Sequence, residues 1–374
     1  MVSDSSQQKI FSSRLELKNF QAYKPGISIL EIQRRYGLKN VIKLASNENP
    51  NGSSSKAISA YKKATDVFSR YPESRSTDLR SALAEAHKRD IGELIIGAGS
   101  DEIIELLAKA FLTPDDEVIV SASAFLQYKI AAHLMGAKVI EVPVKDLKHN
   151  LEGMLEAVSS QTKFIFIANP NNPTGTYNNY DEVEFFIKNL PDHVIPVFDE
   201  AYFEYAKLAS DYPSVVEDFY KKRPMVVLRT FSKVYGLAGL RVGYGIAPEK
   251  IIEELDKIRP PFNVSVPAQM AALAAFRDES FVKKSVESNS IEKNRLQAQL
   301  EKMGFECVPS VTNFILFRVG PRKGRSLFEK LLEKGVIARS VDEYNLPDYL
   351  RVSIGTKKEN TIFLEALSEV WKAS

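Results

Sequence analysis

A lysine beside hydroxyl side chains is the group in this chain best suited to covalent chemistry. Lys233 ends the segment Thr230-Phe231-Ser232-Lys233, and Arg241 follows eight residues later. A lysine amine forms a Schiff base with an aldehyde, while hydroxyl and guanidinium groups bind phosphate. The cluster therefore indicates a site for an aldehyde that carries a phosphate. Most lysines are solvated surface charges, so this interpretation needs partners elsewhere in the chain.

A glycine-containing segment upstream can contribute to binding the same phosphate. Residues 97–102 (Gly-Ala-Gly-Ser-Asp-Glu) follow an apolar run and begin a helical pattern. Gly99 permits a tight turn, and the free N–H groups of Ser100 and Asp101 at a helix start can bind an anion. An ordinary capped turn fits the segment equally well. A dinucleotide-binding fingerprint does not, because Glu102 stands where the third glycine is needed.

Polar groups also follow other apolar runs, at the ends of strands where α/β sheets bind ligands. Residues 169–175 (Asn-Pro-Asn-Asn-Pro-Thr-Gly) offer the Asn172 amide to a ring oxygen, and an Asn-Pro bond there can be cis. Asp199 can keep a pyridine nitrogen protonated, with Tyr202 donating to the ring oxygen. Tyr128 can stack on a planar ring. The competing interpretations are a plain turn for 169–175, a helix N-cap for Asp199 and a core position for Tyr128.

The composition is that of an ordinary globular protein without a strong charge field. The 374 residues are 44% apolar and carry a formal net charge of +2, so neither nucleic acid nor membrane is an expected partner. No apolar run reaches the ~18–20 residues that cross a bilayer, and the N-terminus does not resemble a secretory signal. The single cysteine, Cys307, cannot form an internal disulfide, which is compatible with a cytoplasmic location. No metal site is expected.

Short apolar runs alternate with helical patterns through the first two thirds of the chain. The runs are rich in β-branched residues and lie at 94–96, 118–120, 164–167, 194–198 and 225–228. Such unbroken runs are typical of strands buried on both faces, so we predict a largely parallel sheet covered by helices. Beyond Pro260-Pro261, long helical patterns and a few strands at 313–317, near 336 and near 350 predict a smaller α/β unit.

Taken together, these motifs resemble those of the fold-type-I pyridoxal-phosphate aminotransferases. The resemblance rests on their order along the chain and extends from about Tyr23 to the last helix. Within the family, the chain is most similar to the histidinol-phosphate aminotransferases. The segments that carry this similarity are Tyr23-Lys-Pro-Gly26, Leu44-Ala-Ser-Asn-Glu-Asn-Pro50, Arg70-Tyr71-Pro72, Leu228-Arg-Thr-Phe-Ser-Lys233, Tyr235-Gly-Leu-Ala-Gly-Leu-Arg241 and Leu350-Arg351-Val-Ser-Ile-Gly-Thr356.

The resemblance implies a fold and a domain arrangement. It implies a large domain with a mainly parallel seven-stranded sheet at residues 41–262. A smaller C-terminal α/β domain follows at 263–374. Residues 1–40 would form an N-terminal arm that contributes to the small domain and to a lid. The cofactor implied is pyridoxal 5'-phosphate.

The family's roles carry over to matching positions. Lys233 would bind the cofactor covalently and then move a proton, while Asp199 pairs with the pyridine nitrogen. Asn172 and Tyr202 would bind the ring oxygen, and Tyr128 would stack on the ring. Around the phosphate the resemblance implies Gly99, Ser100, Asp101, Thr230, Ser232 and Arg241, with Tyr71 reaching the phosphate of the neighbouring subunit of a homodimer.

The implied reaction is transamination between histidinol phosphate and 2-oxoglutarate in histidine biosynthesis. Arg351 and Arg339 resemble the cations that bind the substrate's anionic group, beside Asn172, and Tyr23 resembles the lid residue. One departure from the pattern matters here. Asp342 and Glu343 closely follow Arg339 and would weaken binding of a phosphorylated substrate if they face the pocket.

Other functions stay open at this point. An aminotransferase for aromatic amino acids would use Arg351 for a carboxylate. A decarboxylase of a phosphorylated amino acid would share the scaffold but release CO2 without an oxo-acid. A regulator that binds the cofactor without catalysis is disfavoured, because no DNA-binding segment is added and the charge is near neutral.

Overall fold

In the computed structural model, which describes residues 13–17, 26–321 and 323–372, strands and helices alternate along the chain. The strands are β1 (Ile42–Lys43), β2 (Leu94–Gly97), β3 (Glu117–Ser121), β4 (Lys138–Val142), β5 (Thr162–Ala168), β6 (Ile195–Asp199), β7 (Val226–Thr230), β8 (Gly243–Ile246), β9 (Glu306–Cys307), β10 (Phe314–Arg318), β11 (Val336–Ile337), β12 (Arg339–Ser340) and β13 (Tyr349–Ser353).

Helices make up most of the rest of the regular structure and pack against the sheets described below. The α-helices are Ile29–Tyr36, Ser55–Lys63, Thr77–His87, Ser100–Phe111, Gln127–Leu134, Leu151–Glu156, Tyr180–Asn189, Phe203–Ala206, Val215–Asp218, Glu249–Ile258, Val266–Phe276, Glu279–Lys302, Gly324–Glu333 and Lys357–Lys372. Short 3-10 turns are Leu15–Leu17, Ala64–Val67, Ile91–Glu93, Ala238–Leu240 and Asp342–Tyr344. Of the described helices, none combines the length and the apolar character needed to cross a membrane.

The large sheet has seven strands in the order β2-β8-β7-β6-β5-β3-β4. Only β8 runs antiparallel to its neighbours, β2 and β7, while the other strand pairs are parallel. The predicted mainly parallel, seven-stranded sheet is confirmed. The apolar runs form β2, β3, β5, β6 and β7, which are almost entirely buried because helices cover both faces.

The apolar pattern did not predict β4 and β8, for different reasons. β4 lies at the sheet edge and mixes exposed with buried positions. β8 contains Gly243 and Gly245, and glycine is depleted in strands. A Cβ at Gly243 would lie only 2.6 Å from the backbone nitrogen of Ser100. Glycine therefore lets β8 run against the turn that begins helix Ser100–Phe111.

Near the C-terminus, four strands form a separate, smaller antiparallel sheet in the order β12-β13-β10-β9. Its core also contains Ile32 and Leu44 from the N-terminal part, and β1 pairs in parallel with β11. Helix Val266–Phe276 instead packs on helix Ser55–Lys63 and belongs to the core of the large sheet. The boundary predicted after residue 262 stays a prediction. This packing leads us to propose a later boundary, within helix Glu279–Lys302.

A buried ion pair joins the ends of β6 and β7. The Arg229 Nε and Nη2 atoms donate to Glu200 Oε2 at 3.0 and 2.8 Å. The two side chains are only 6% and 0% exposed. The backbone nitrogen of Val215 donates to the other oxygen, Oε1, at 3.2 Å. Because both charges are removed from water, each depends on the other for its stability.

We predict that Glu200→Ala lowers the free energy of unfolding by about 3–5 kcal/mol, because it leaves the Arg229 guanidinium buried without its carboxylate. Chemical denaturation measures the change. Glu329→Ala is the matched control, since it breaks the exposed pair of Glu329 with Arg325 and should cost less than about 1 kcal/mol. Equal losses in the two variants would contradict the argument.

Candidate active site

A cavity of about 250 Å³ lies at the carboxyl ends of β5, β6 and β7. Parallel strands place their ends at one edge, which is where ligands of such sheets bind. Most of the residues that the sequence singled out meet here. The predicted residues on the cavity wall are Ser100, Asp101, Tyr128, Asn172, Asp199, Tyr202, Thr230, Ser232, Lys233 and Arg241.

Lys233 places its amine inside this cavity. It follows β7, and its Nζ donates to the carbonyl oxygen of Ser46 at 3.3 Å. The same nitrogen lies 5.6 Å from the centre of the Tyr202 ring. Ser46 also lines the cavity, although sequence reasoning did not assign it a role. The amine is thus held by a single long hydrogen bond that a bound ligand can replace.

The far end of the cavity is built to accept an anion. Gly99 has φ of 82°, which favours glycine, and a Cβ there would lie 2.7 Å from Arg241 Nη2 and displace the guanidinium. Arg241 Nη1 lies 3.4 Å from Ser232 Oγ, and Nη2 lies 3.2 Å from Asp101 Oδ2. Ser100 begins a helix of twelve residues, whose first N–H groups are free to bind an anion. These donors suit a phosphate group.

Asp199 ends β6 as a buried carboxylate, only 6% exposed. Its Oδ2 accepts from the Tyr128 hydroxyl at 2.7 Å, and its Oδ1 accepts from the Ala201 nitrogen at 3.0 Å. Removal from water raises the pKa of Asp199 to about 6, although both hydrogen bonds and the charge of Lys233 act in the opposite direction. A carboxylate in this position can stabilise a positive charge placed beside it.

The contacts of Tyr128 differ from the stacking role that the sequence predicted for this residue. Its fully buried ring is nearly parallel to Phe166, with centroids 4.8 Å apart and an interplanar angle of 10°. Its hydroxyl is directed at Asp199. The half-buried Phe125 also lines the cavity and meets the Tyr128 ring edge-on. The helix begins only at Gln127, so Phe125 lies in the preceding turn, and sequence reasoning gave Phe125 no role.

Asn172 and Tyr202 are connected to the smaller sheet. The Arg351 Nη1 atom donates to Asn172 Oδ1, and Arg351 Nη2 donates to the Ala45 oxygen at 2.6 Å. The Tyr202 hydroxyl accepts from Asn47 Nδ2 at 2.8 Å. The peptide bonds preceding Pro170 and Pro173 are both cis. Asn47 was quoted within a motif but given no role; its hydrogen bond to Tyr202 could be read only from the fold.

Two further predicted residues, Tyr71 and Arg339, do not line the cavity. Tyr71 is 82% exposed and stacks on Phe262, with centroids 4.6 Å apart. Arg339 forms an ion pair with Glu343. Tyr23 lies outside the described residues. Within the described ranges, no group of three or more His, Cys, Asp or Glu side chains is placed to bind a metal ion.

The raised pKa of Asp199 predicts a dependence of stability on pH in the ligand-free protein. The folded state favours the protonated acid, so the stabilising contribution is full below about pH 4 and is lost as the pH rises through about 6. The wild type should therefore lose about 2–3 kcal/mol relative to Asp199→Asn between pH 4 and 7. Urea denaturation across this range measures it, with Asp115→Asn on an exposed turn as control. A flat difference would contradict the assignment.

Comparison with known proteins places the chain in a family. The family model for aminotransferase class I and II matches residues 39–367. The histidinol-phosphate aminotransferase of Akkermansia muciniphila is 46% identical over 353 residues, 93% of this chain and 96% of that protein. The one from Moorella thermoacetica is 43% identical over 358 residues, 96% of this chain and 92% of that protein.

The solved structures that are similar in fold also include a histidinol-phosphate aminotransferase. The histidinol-phosphate aminotransferase of Sinorhizobium meliloti, solved in complex with pyridoxal-5'-phosphate, superposes with a TM-score of 0.86 at 26% identity, covering 96% of this chain and 99% of that one. An aspartate aminotransferase double mutant of Thermus thermophilus gives a TM-score of 0.84 at 22% identity, covering 97% and 100%, and supports the fold alone. The fold, the cavity and the match over most of its length together mean that this chain belongs to the class I and II aminotransferases.

Proposed function

We propose that this aminotransferase uses pyridoxal phosphate to move an amino group from histidinol phosphate to 2-oxoglutarate. The products are imidazole-acetol phosphate and glutamate, a step of histidine biosynthesis. The observation that carries the proposal is the cavity in which the Lys233 amine, the buried Asp199 carboxylate and the anion site around Arg241 meet. Similarity to histidinol-phosphate aminotransferases over more than nine tenths of the chain supports the choice of substrate.

The residues present fit the cofactor. Its phosphate would bind where glycine leaves space beside Arg241, and Asp199 would face the protonated ring nitrogen. When bound, pyridoxal phosphate supplies an aldehyde for the amine and a ring that takes up electrons from the bond being broken. The phosphate-binding residues we assign are Gly99, Ser100, Asp101, Thr230, Ser232 and Arg241, with Asp101 contributing its backbone N–H. Phe125 replaces Tyr128 as the proposed stacking ring.

The side chains around the ring would divide the remaining work. Tyr128 positions the Asp199 carboxylate through its hydroxyl, and burial makes that carboxylate interact strongly with a positive ring nitrogen. Asn172 and Tyr202 would hold the ring oxygen. Lys233 Nζ would remove the proton from the substrate Cα, because Lys233 lines the cavity in which the substrate would bind.

Two arginines would bind the substrate's anionic end. Histidinol phosphate has no carboxylate, so its phosphate must use the same cations that later hold 2-oxoglutarate or glutamate. Arg351 is buried and already contacts Asn172 at the cavity. Arg339 lies directly opposite Arg351 in the β12–β13 pair. Two planar guanidinium groups suit a phosphate or a dicarboxylate better than one. Tyr23 stays a proposed lid residue on sequence grounds.

We propose a homodimer with shared active sites, which the exposure of Tyr71 supports. Its ring does not line the cavity of its own chain and is highly exposed, in a region where Val67, Phe68 and Phe262 are exposed as well. Exposed apolar patches of this kind mark interaction sites. We propose that Tyr71 reaches the cofactor phosphate of the partner subunit. We also propose a cytoplasmic location, which the single free cysteine supports.

The substrate is tested by a half-reaction. Histidinol phosphate, phenylalanine and tyrosine are added in turn to the holoenzyme without any oxo-acid, and the cofactor absorbance is followed. We expect histidinol phosphate to convert the cofactor to its aminated form at the lowest concentration, because its phosphate engages both arginines. Conversion by the unphosphorylated amino acids alone would identify an aromatic aminotransferase. Stoichiometric CO2 release would identify a decarboxylase.

Shared sites predict complementation between two defective variants. Lys233→Ala should abolish turnover, and Tyr71→Ala should greatly reduce it. After the two homodimers are unfolded and refolded together in equal amounts, about half of the molecules are mixed dimers with one intact site in two. About a quarter of wild-type activity should therefore return. In the control mixture, Lys257→Ala takes the place of Tyr71→Ala, because Lys257 lies at an exposed helix position. No gain over the separate variants would contradict site sharing.

A further inference from the structure

We propose that Glu343 is an internal competitor for the substrate's anionic group, and that it determines how tightly dianionic ligands bind. This proposal rests on the proposed function, since it concerns the arginines assigned to the substrate phosphate. The observation behind it is the ion pair between Glu343 Oε1 and Arg339 Nη2. The Glu343 carboxylate is thus already paired with the guanidinium to which a phosphate or a dicarboxylate would bind.

The pair lies close to the cavity. Arg339 Nη1 is 3.7 Å from the point where a Cβ on Gly26 would be, and Ser46 Oγ is 4.0 Å from the same point. Ser46 lines the cavity and accepts the hydrogen bond from Lys233. Arg339 Nη1 and Ser46 Oγ are therefore both within about 4 Å of this one point, which places the Arg339 guanidinium near a residue of the cavity wall.

Register pairing places both substrate cations on one face of the smaller sheet. Arg339 in β12 is directly opposite Arg351 in β13, and the two strands are antiparallel. Opposed residues of an antiparallel pair have Cβ atoms about 4.5–5.5 Å apart on the same face. One anionic group can then contact both guanidinium groups. Arg351 already binds two neutral oxygens, those of Asn172 and Ala45.

The turn that carries Glu343 is anchored, so the backbone from which the carboxylate extends is held in place. Residues Asp342–Tyr344 form a 3-10 turn. Tyr344 is 3% exposed and packs in a small core cluster with Val341, Leu346 and Leu316. The side chains of Arg339 and Glu343 are 15% and 31% exposed, so water screens their attraction only in part.

The charges explain which ligands are affected. Removal of the Glu343 charge takes one negative charge away from the Arg339 guanidinium and makes the site more attractive to an incoming anion. With that charge in place, a ligand that needs Arg339 must displace a carboxylate and approach a negative charge, and a dianion is repelled more than a monoanion. A ligand that does not use Arg339 avoids both costs. Glu343 would therefore weaken binding of phosphorylated and dicarboxylate ligands, which favours their release between the two half-reactions.

The test compares Glu343→Gln with the wild-type holoenzyme. The variant keeps the size of the side chain and removes its charge. We expect the KM for histidinol phosphate and the inhibition constant of inorganic phosphate to fall about three- to tenfold. The KM for histidinol, which lacks the phosphate, should change by less than twofold. Glu343→Ala should act in the same direction, which guards against an effect of the new amide.

Glu329→Gln is the matched control, because Glu329 pairs with Arg325 at the same spacing on an exposed helix. It should alter neither constant. Unchanged constants in Glu343→Gln, or an equal fall for histidinol and histidinol phosphate, would overturn the proposal. If the wild type does not use histidinol phosphate, the proposed function fails instead. Inhibition by inorganic phosphate, measured with whichever amino donor is active, then still decides the role of Glu343.

Discussion

The site depends on keeping one carboxylate ionisable in a place without water. Asp199 is at the end of a central strand, between Ala168 of β5 and Leu228 of β7. Burial opposes its charge, and the Tyr128 hydroxyl and the Ala201 nitrogen partly compensate. The same lack of water makes its interaction with a positive ring nitrogen strong. Burial thus destabilises the charged carboxylate in the ligand-free protein and, for the same physical reason, would strengthen its attraction to the ring nitrogen of a bound cofactor.

A second constraint is the connection between the two sheets. Asn47 adopts a left-handed backbone conformation with φ of 55°. Its amide nitrogen Nδ2 donates to Tyr202, while its backbone nitrogen and its Oδ1 bind Ser353 of β13. Its carbonyl oxygen accepts from Asn313 at 2.9 Å. Asn47 therefore connects Tyr202, the proposed partner of the cofactor ring, to the sheet that carries the two arginines proposed to bind the substrate.

Much of the fold could be predicted from local pattern, and the failures have specific causes. Buried parallel strands are continuous apolar runs, which is why β2, β3, β5, β6 and β7 were recognisable. β8 was not, since Gly243 serves a close approach to Ser100 that no local pattern reveals. At the site, Tyr128 and Phe125 are three residues apart in one aromatic segment. Which ring faces the ligand depends on where the helix begins, and helix ends are poorly defined by sequence.

The sequence by itself determined the chemistry and the family. Lysine, aspartate, asparagine and arginine at the ends of apolar runs specify the groups that a phosphorylated aldehyde cofactor needs. Only the tertiary structure decided which contacts these groups make, including the ring that Tyr128 packs on, the hydroxyl that Asn47 binds and the carboxylate that Arg339 pairs with. The physical reason is distance along the chain. These contacts join residues whose positions relative to each other are set by sheet register and helix packing, whereas sequence pattern reports mainly on burial and on near neighbours.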